Sequence, residues 1–371
     1  RAARGGLGWL LAAAAGCGAR VVSVPDLHGD YGRAVDVLAA AGLIDAGTLA
    51  WTGGNATLVQ TGDIVDRGDD ALKIYRLFFR LAEEAPLQGG KVANLLGNHE
   101  LMNILGDLRY VSPGDVEAFG GEAAREEAWS PEGWLGSRVR RFPVAAKVGG
   151  VLFGHAGVLP RFLTHGLEGI NAGMAEALAA GGRPRDRALA ELLGDSGPVW
   201  TRYWAGRASD ICRTARQVLE QVGAVRMVLG HTIQRSAAGF RVRPTCEGRI
   251  LLADTAISRA YGGEPSFLEH DGMGGVVAVY PRIGVRQELD PVPGAALPQA
   301  ALPVANPPDA TFVKAPDGVS AAPTLSERSE KQEPGPSGGI LSYLPFWWLL
   351  PLLLLAFFCV WASRASQRKR H

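Results

Sequence analysis

A chain of 371 residues with 47% hydrophobic content can bury one large core or two medium ones, which excludes global disorder. Its 38 basic and 37 acidic residues leave a formal charge of +1, so no long-range field draws it to nucleic acid, and no nucleic-acid partner is expected. The four cysteines, Cys17, Cys212, Cys246 and Cys359, lack the spacing of a zinc ribbon and the density of a disulfide scaffold; a Cys212–Cys246 bridge stays open.

In chain order, residues 1–19 read two ways. Arg1 and Arg4, the apolar run Leu7 to Ala15 and the small residues Gly16 to Ala19 have the order of a signal peptide and its cleavage region, and the flanks favour that reading over an apolar lead-in to a first strand. Residues 20–290 alternate short β-branched runs with helical patterns. Val21 to Val24, Thr57 to Gln60, Val92 to Leu96, Val151 to Phe153, Val225 to Leu229 and Ile250 to Ala253 are expected as buried strands. After Asp69, the expected N-cap, Ala71, Ile74, Tyr75, Phe78 and Ala82 share one helical face. The alternation predicts an α/β layered domain, with Gly106 to Val144 as a helical insertion over one edge.

The remaining chain carries different signals. Prolines recur through 291–340 among Ala, Ser and Gly, the composition of a disordered tether. Leu344 to Ala362 then gives 19 uncharged residues, about 28 Å as a helix, which predicts a single transmembrane helix. Trp347, Trp348 and Trp361 mark its ends, and Pro345 and Pro351 are tolerable in a membrane. The basic tail 363–371 favours a cytosolic C-terminus and so a lumenal or extracytoplasmic catalytic domain; a cytosolic, tail-anchored domain is the alternative.

Nearly every expected strand runs into a short loop of metal-ligand chemistry. These loops are Asp26-Leu27-His28-Gly29-Asp30, Gly62-Asp63-Ile64-Val65-Asp66-Arg67-Gly68, Gly97-Asn98-His99-Glu100, Gly154-His155-Ala156-Gly157 and Gly230-His231-Thr232. Loops at the carboxyl ends of strands share one crevice. A lone histidine after a strand is more often a satisfied core residue than a ligand, but five such loops in one context point to a common site. Carboxylate, imidazole and amide oxygen together suit manganese, iron or zinc, and the absence of cysteine ligands argues against structural zinc. Glycine beside each ligand lets backbones approach closely.

The ordered set DLHG, GDIVDRG, GNHE, GHAG and GHT resembles the calcineurin-like phosphoesterases, specifically the phosphoprotein phosphatases. LVQTGDIVDRGDD, LLGNHELMNILGDLRYVSPG, GPVWTRYW and CEGRILLADTAISRAYGG look like the Shewanella-like protein phosphatases, and the resemblance spans about Arg20 to Leu268. It implies a layered sandwich of central β-sheets flanked by helices and two divalent cations (Mn2+, Fe2+/Fe3+ or Zn2+). Asp26 and His28 would hold one cation, Asn98, His155 and His231 the other, and Asp63 both. It further implies hydrolysis of phosphate monoesters, most of all phosphoproteins, by in-line attack of a hydroxide between the metals. His99 would be the general acid and Asp66 would fix its tautomer. Arg67, Arg202 and Asn98 would bind the phosphoryl group. Glu100 is expected to orient its loop by hydrogen bonds, while Asp254, Arg259 and Tyr261 have no assigned role.

Two positions depart from the family pattern. Pro25 replaces a usual glycine, which fixes φ and could displace Asp26, and GHAG replaces the commoner HGG around His155. The alternatives are a phosphoesterase for dinucleotide polyphosphates or other small molecules and, if Pro25 breaks the geometry, a catalytically impaired metal-binding membrane protein. His99-Glu100-Leu101-Met102-Asn103 lacks the second histidine of a zincin, and the Asn55-Ala56-Thr57 sequon matters only in a lumen.

Overall fold

The computed structural model describes residues 19–272 and 274–293. The candidate signal segment through residue 18, the tether beyond 293, the apolar segment 344–362 and the basic tail lie outside them. Among the described residues, no helix is long and apolar enough to cross a membrane.

The first half runs β1 (Val21–Val24), α1 (Tyr31–Ala40), β2 (Thr57–Gln60), α2 (Ala71–Glu84), β3 (Lys91–Asn94) and α3 (Asn98–Ile104). Then come α4 (Pro113–Phe119), α5 (Glu122–Trp129), α6 (Gly136–Val139), β4 (Ala145–Val148) and β5 (Val151–Gly154). The second half adds α7 (Gly166–Ala179), α8 (Arg187–Leu193), α9 (Ile211–Val222), β6 (Arg226–Leu229), β7 (Arg235–Ser236) and β8 (Gly239–Phe240). It closes with β9 (Arg243–Thr245), β10 (Ile250–Leu252), β11 (Phe267–His270), β12 (Val276–Tyr280) and β13 (Val285–Leu289).

These strands form two mixed sheets, ordered β13-β12-β11-β1-β2-β3 and β4-β5-β6-β10-β9, and a small β7-β8 hairpin. β1, β2 and β3 are parallel, with Val24, Gln60 and Asn94 side by side at their carboxyl ends. In the second sheet β5, β6 and β10 are parallel, and Gly154, Leu229 and Leu252 end in line. This register brings the candidate ligand loops of each sheet to one rim.

Strand alternation sorts the apolar side chains into two cores. Val21, Val59, Leu95, Phe153, Val228, Leu251 and Ala278 form a cluster drawn from both sheets. Val22, Val24 and Leu58 join the helices instead, packing with Val37, Ile74, Tyr75 and Phe78.

Several local expectations shift. β3 ends at Asn94, not Leu96, because the Leu96 N–H donates to Pro143 O (3.0 Å) and leaves the ladder. The N-cap of α2 is Asp70 rather than Asp69; its carboxylate takes Lys73 Nζ at 2.6 Å and makes no cap bond. Ala71, Ile74, Tyr75 and Phe78 are buried as the period requires, while Ala82 is half-buried beside buried Leu81. The 106–144 insertion is helical and packs on α2, with Trp129 against Tyr75 and with Trp134 and Phe142 against Phe79. The antiparallel strands β11 to β13 gave no signal clear enough to expect them. Cys212 and Cys246 are joined by a disulfide.

Candidate active site

The loop after β1 lies on the loop after β2. Leu27 N and His28 N donate to Asp63 O (2.9 and 3.0 Å), and Gly29 N donates to Ile64 O (2.7 Å). The loop after β3 interlocks with the same segment through a single side chain. Glu100, fully buried, accepts from Gly97 N (2.9 Å), Asp63 N (2.8 Å), Ile64 N (2.8 Å), Val65 N (3.4 Å) and Tyr75 Oη (2.8 Å). In return, Asp63 Oδ1 accepts from His99 N at 2.9 Å. The contacts leave no room for side chains at two glycines: a Cβ on Gly97 would lie 2.2 Å from Asp63 Oδ1, and one on Gly230 2.2 Å from Asp26 Oδ1.

Three histidines are oriented by backbone carbonyls, which only accept and so fix the proton-bearing nitrogen. His155 donates from Nδ1 to Thr61 O (3.0 Å), His28 from Nδ1 to Val65 O (3.1 Å), and His231 from Nε2 to Trp200 O (3.0 Å). In the neutral ring, the other nitrogen of each carries a lone pair. His155 Nε2, His231 Nδ1 and Asn98 Oδ1 meet in a triangle with sides of 2.9, 2.9 and 3.1 Å, three acceptors with no hydrogen between them. A cation resolves that conflict. Asp63 Oδ2 lies 3.4 Å from His155 Nε2, 3.7 Å from His28 Nε2 and 3.9 Å from His99 Nε2. The donor atoms of His28, Asp63 and His99, and those of Asp63, His155 and His231, gather within 4.8 Å as two groups that could hold metal. These buried oxygen and imidazole donors fit divalent cations.

Asp26 is buried at the same rim but falls in neither group. Its carboxylate accepts from His231 N (3.0 and 3.2 Å) and lies 4.0 Å from His155 Nδ1. Arg67 stacks on Tyr110, its guanidinium carbon 3.7 Å from the ring centroid, with Tyr261 at 5.6 Å. Arg202 Nη1 bonds Thr232 Oγ1 (3.0 Å) and His231 O (3.3 Å), which places it beside a candidate ligand. His99 Nδ1 meets Asp66 Oδ2 at 2.6 Å, and Asn103 Nδ2 donates to Asp66 Oδ1 at 2.9 Å. Asn103 was missed in the sequence, although its i+4 spacing from His99 on a helix was a readable signal. Arg259 now has a place: it holds Asp30 by its backbone N–H (2.8 Å) and Nη1 (2.7 Å), at the start of α1.

The electrostatics suit a cation-binding cluster. Burial pushes His28 down to about 4 and His231 down to about 3, keeping both neutral. Burial opposes the charge on Asp63, but the histidines packed around it outweigh burial and hold the carboxyl well below its usual range. Asp26 is raised well above its usual value by burial, Asp254 and Asp63, and burial lifts Asp254 to about 6. Asp26, Asp63 and Asp254 crowd one buried volume, where an added cation would favour their charged forms. Backbone geometry is also unusual: His28, Asp63, Asp66, Arg67 and His231 have φ between 41° and 72°, a left-handed conformation costing roughly 1 kcal/mol or more each.

Residues 19–234 match the family model described as calcineurin-like phosphoesterase, and the chain belongs to that family. It is 39% identical over 274 residues to an uncharacterised protein of Schizosaccharomyces pombe, covering 70% of this chain and 80% of that one. It is 31% identical over 299 residues to Shewanella-like protein phosphatase 2 of Arabidopsis thaliana, covering 67% and 74%. The fold also superposes on a cold-active protein-tyrosine phosphatase of a psychrophilic Shewanella, with a TM-score of 0.63 and 24% identity over 73% of this chain and 80% of that one.

The Glu100 carboxylate generates a stability prediction. Glu100→Ala strands several buried N–H donors and should cost about 3–5 kcal/mol in urea unfolding, with Glu100→Gln losing less because one acceptor oxygen remains. A loss under about 1 kcal/mol for the alanine variant would contradict the tethering role.

Proposed function

We propose that this phosphoesterase is a metal-dependent phosphoprotein phosphatase whose two cations share Asp63. The carrying observation is the triangle of lone pairs from Asn98, His155 and His231, with Asp63 Oδ2 beside it and turned also toward His28. In this reading Asp26 and His28 complete one set of ligands and Asn98, His155 and His231 the other. Cations held there would supply positive charge for the phosphoryl oxygens and lower the pKa of a bound water. Manganese, iron and zinc all suit the donors.

The chain's own residues supply the rest. Arg67 and Arg202, with Asn98, bind the phosphoryl oxygens; the Tyr110 ring under Arg67 keeps its planar fork oriented. His99 gives the departing oxygen its proton. Burial opposes a charged His99, but Asp63 and the Asp66 hydrogen bond raise its pKa, so the acid form persists to higher pH than in an ordinary histidine. Phosphoprotein as the substrate is supported by the names of the Arabidopsis relative and the Shewanella structure.

We also propose that residues 344–362 anchor the protein in a membrane with the catalytic domain lumenal. The apolar run, the basic tail and the Cys212–Cys246 disulfide, a bond of oxidising compartments, support this.

The purified full chain should lose activity on chelation and regain it with manganese. Asp63→Asn and His99→Asn should each lower phosphopeptide kcat/KM by about a hundredfold or more, and less than tenfold would count against the assignment. Dinucleotide polyphosphates assayed in parallel should be poorer substrates; the reverse order would move the substrate class. Since His99 acts protonated, activity falls as pH rises through its pKa, so Asp66→Asn should shift the basic limb of the pH–rate profile to lower pH. An unmoved limb would remove Asp66 from that role. On intact membranes the domain should resist protease until detergent is added, and digestion without detergent would place it in the cytosol.

A further inference from the structure

We propose that Asn103 and Arg125 form a positioning relay that sets the proton arrangement and orientation of the general acid, with the helical insertion as its anchor. The proposal rests on His99 being that acid. The relay is a continuous run of buried polar contacts. Asp115 Oδ2 accepts from Arg125 Nε (2.8 Å), and Arg125 Nη2 donates to Asn103 Oδ1 (2.7 Å). Asn103 Nδ2 donates both to Asp66 Oδ1 (2.9 Å) and to His99 O (2.9 Å), and Asp66 Oδ2 meets His99 Nδ1 (2.6 Å). Each of the five side chains belongs to a buried residue, and Arg125 is only 3% exposed.

Donor and acceptor logic gives the run a direction. A guanidinium has donors and no acceptor, so Asn103 must turn its oxygen toward Arg125 and its NH2 group toward Asp66. Asp66 must then accept at both oxygens, at Oδ1 from Asn103 Nδ2 and at Oδ2 from the His99 Nδ1–H, whose proton stays on the ring. Nε2 becomes the nitrogen that exchanges a proton with substrate. When the phosphorus–oxygen bond breaks, the departing oxygen takes the Nε2 proton, and a neutral imidazole remains with Nδ1–H on Asp66. The two acceptors at the Asn103 NH2 group, Asp66 Oδ1 and His99 O, demand the same amide orientation as the Arg125 donor at its oxygen, so Asn103 is locked from both ends.

The insertion is built to hold this arrangement still. Asp115 and Arg125 come from consecutive helices, α4 and α5, and the guanidinium lies 5.5 Å from the centroids of both Phe119 and Trp129. Ser112 Oγ caps α4 at Asp115 N (3.1 Å) and donates to Gly68 O (3.1 Å), tying the insertion to the loop that carries Asp66. The run joins the candidate ligand groups at His99, which Asp66 and Asn103 contact directly, so its effect on the reaction would pass through that residue.

Leaving-group dependence separates positioning from simple structural support, because p-nitrophenolate departs without a proton and an alkoxide does not. In the manganese-loaded full chain, Asn103→Ala should lower kcat on an alkyl phosphate by about tenfold or more and on p-nitrophenyl phosphate by under about threefold, with KM little changed. His99→Asn should show the same split, larger. Arg125→Lys, which keeps the charge but has a single ammonium head, should fall between wild type and Asn103→Ala on the alkyl substrate. Nitrogen-15 spectra should report the Nδ1–H form of neutral His99 in the wild type and a tautomer mixture in Asn103→Ala. Equal losses on both substrates for Asn103→Ala, alongside a split for His99→Asn, would overturn the relay and leave the acid assignment standing. No split for His99→Asn would overturn the acid assignment and the relay with it. Should Asn103→Ala fail to fold, Asn103→Ser and Arg125→Lys carry the same comparison, and equal losses in both would again overturn the relay.

Discussion

The site depends first on one carboxylate. Glu100 sits in the first turn of the helix after β3, yet most of its hydrogen-bond donors belong to the loop after β2 and to α2. Burial raises its pKa, and the N–H groups around it supply part of the solvation lost with water. Because Asp63 answers by accepting from His99 N, the two loops are clamped in both directions, and the spacing between Asp63 and His99 is set by two buried carboxylates bonded to backbone N–H groups. The loop after β1 then lies on that clamp through the Asp63 and Ile64 carbonyls.

The second sheet contributes in a different way. His155 and His231 reach the first sheet by bonds to its loops, Nδ1 of His155 to Thr61 O and the His231 N–H to the Asp26 carboxylate. An apolar layer drawn from both sheets fixes the distance between their rims. Two independent strand registers therefore converge on one crevice, which explains why ligands so far apart in the chain can meet within a few ångströms.

This arrangement stores unfavourable energy that cation binding would relieve. Lone pairs face one another, Asp26 and Asp254 are pushed toward protonation, and five site residues hold left-handed backbone. Such features persist only where the surrounding fold over-determines them. The helical insertion, packed against α2, extends the polar contacts behind His99 and Asp66 through Arg125 and Asn103.

Much of this was already written in the sequence. The β-branched runs located β1 and β2 to the residue and the other parallel strands to within two residues, and the loops that follow them carried Asp63, Asn98, His155 and His231 in recognisable order. Local spacing determines such features, since strand propensity and adjacent glycines act over a few residues. Only tertiary structure decided that β11 to β13 complete the first sheet, that Asp26 turns to the His231 backbone, that Cys212 pairs with Cys246, and that Arg125 reaches Asn103. Those outcomes depend on which segments pack together across long stretches of chain, and on the need to satisfy every buried donor once they do, which no local pattern of residues encodes.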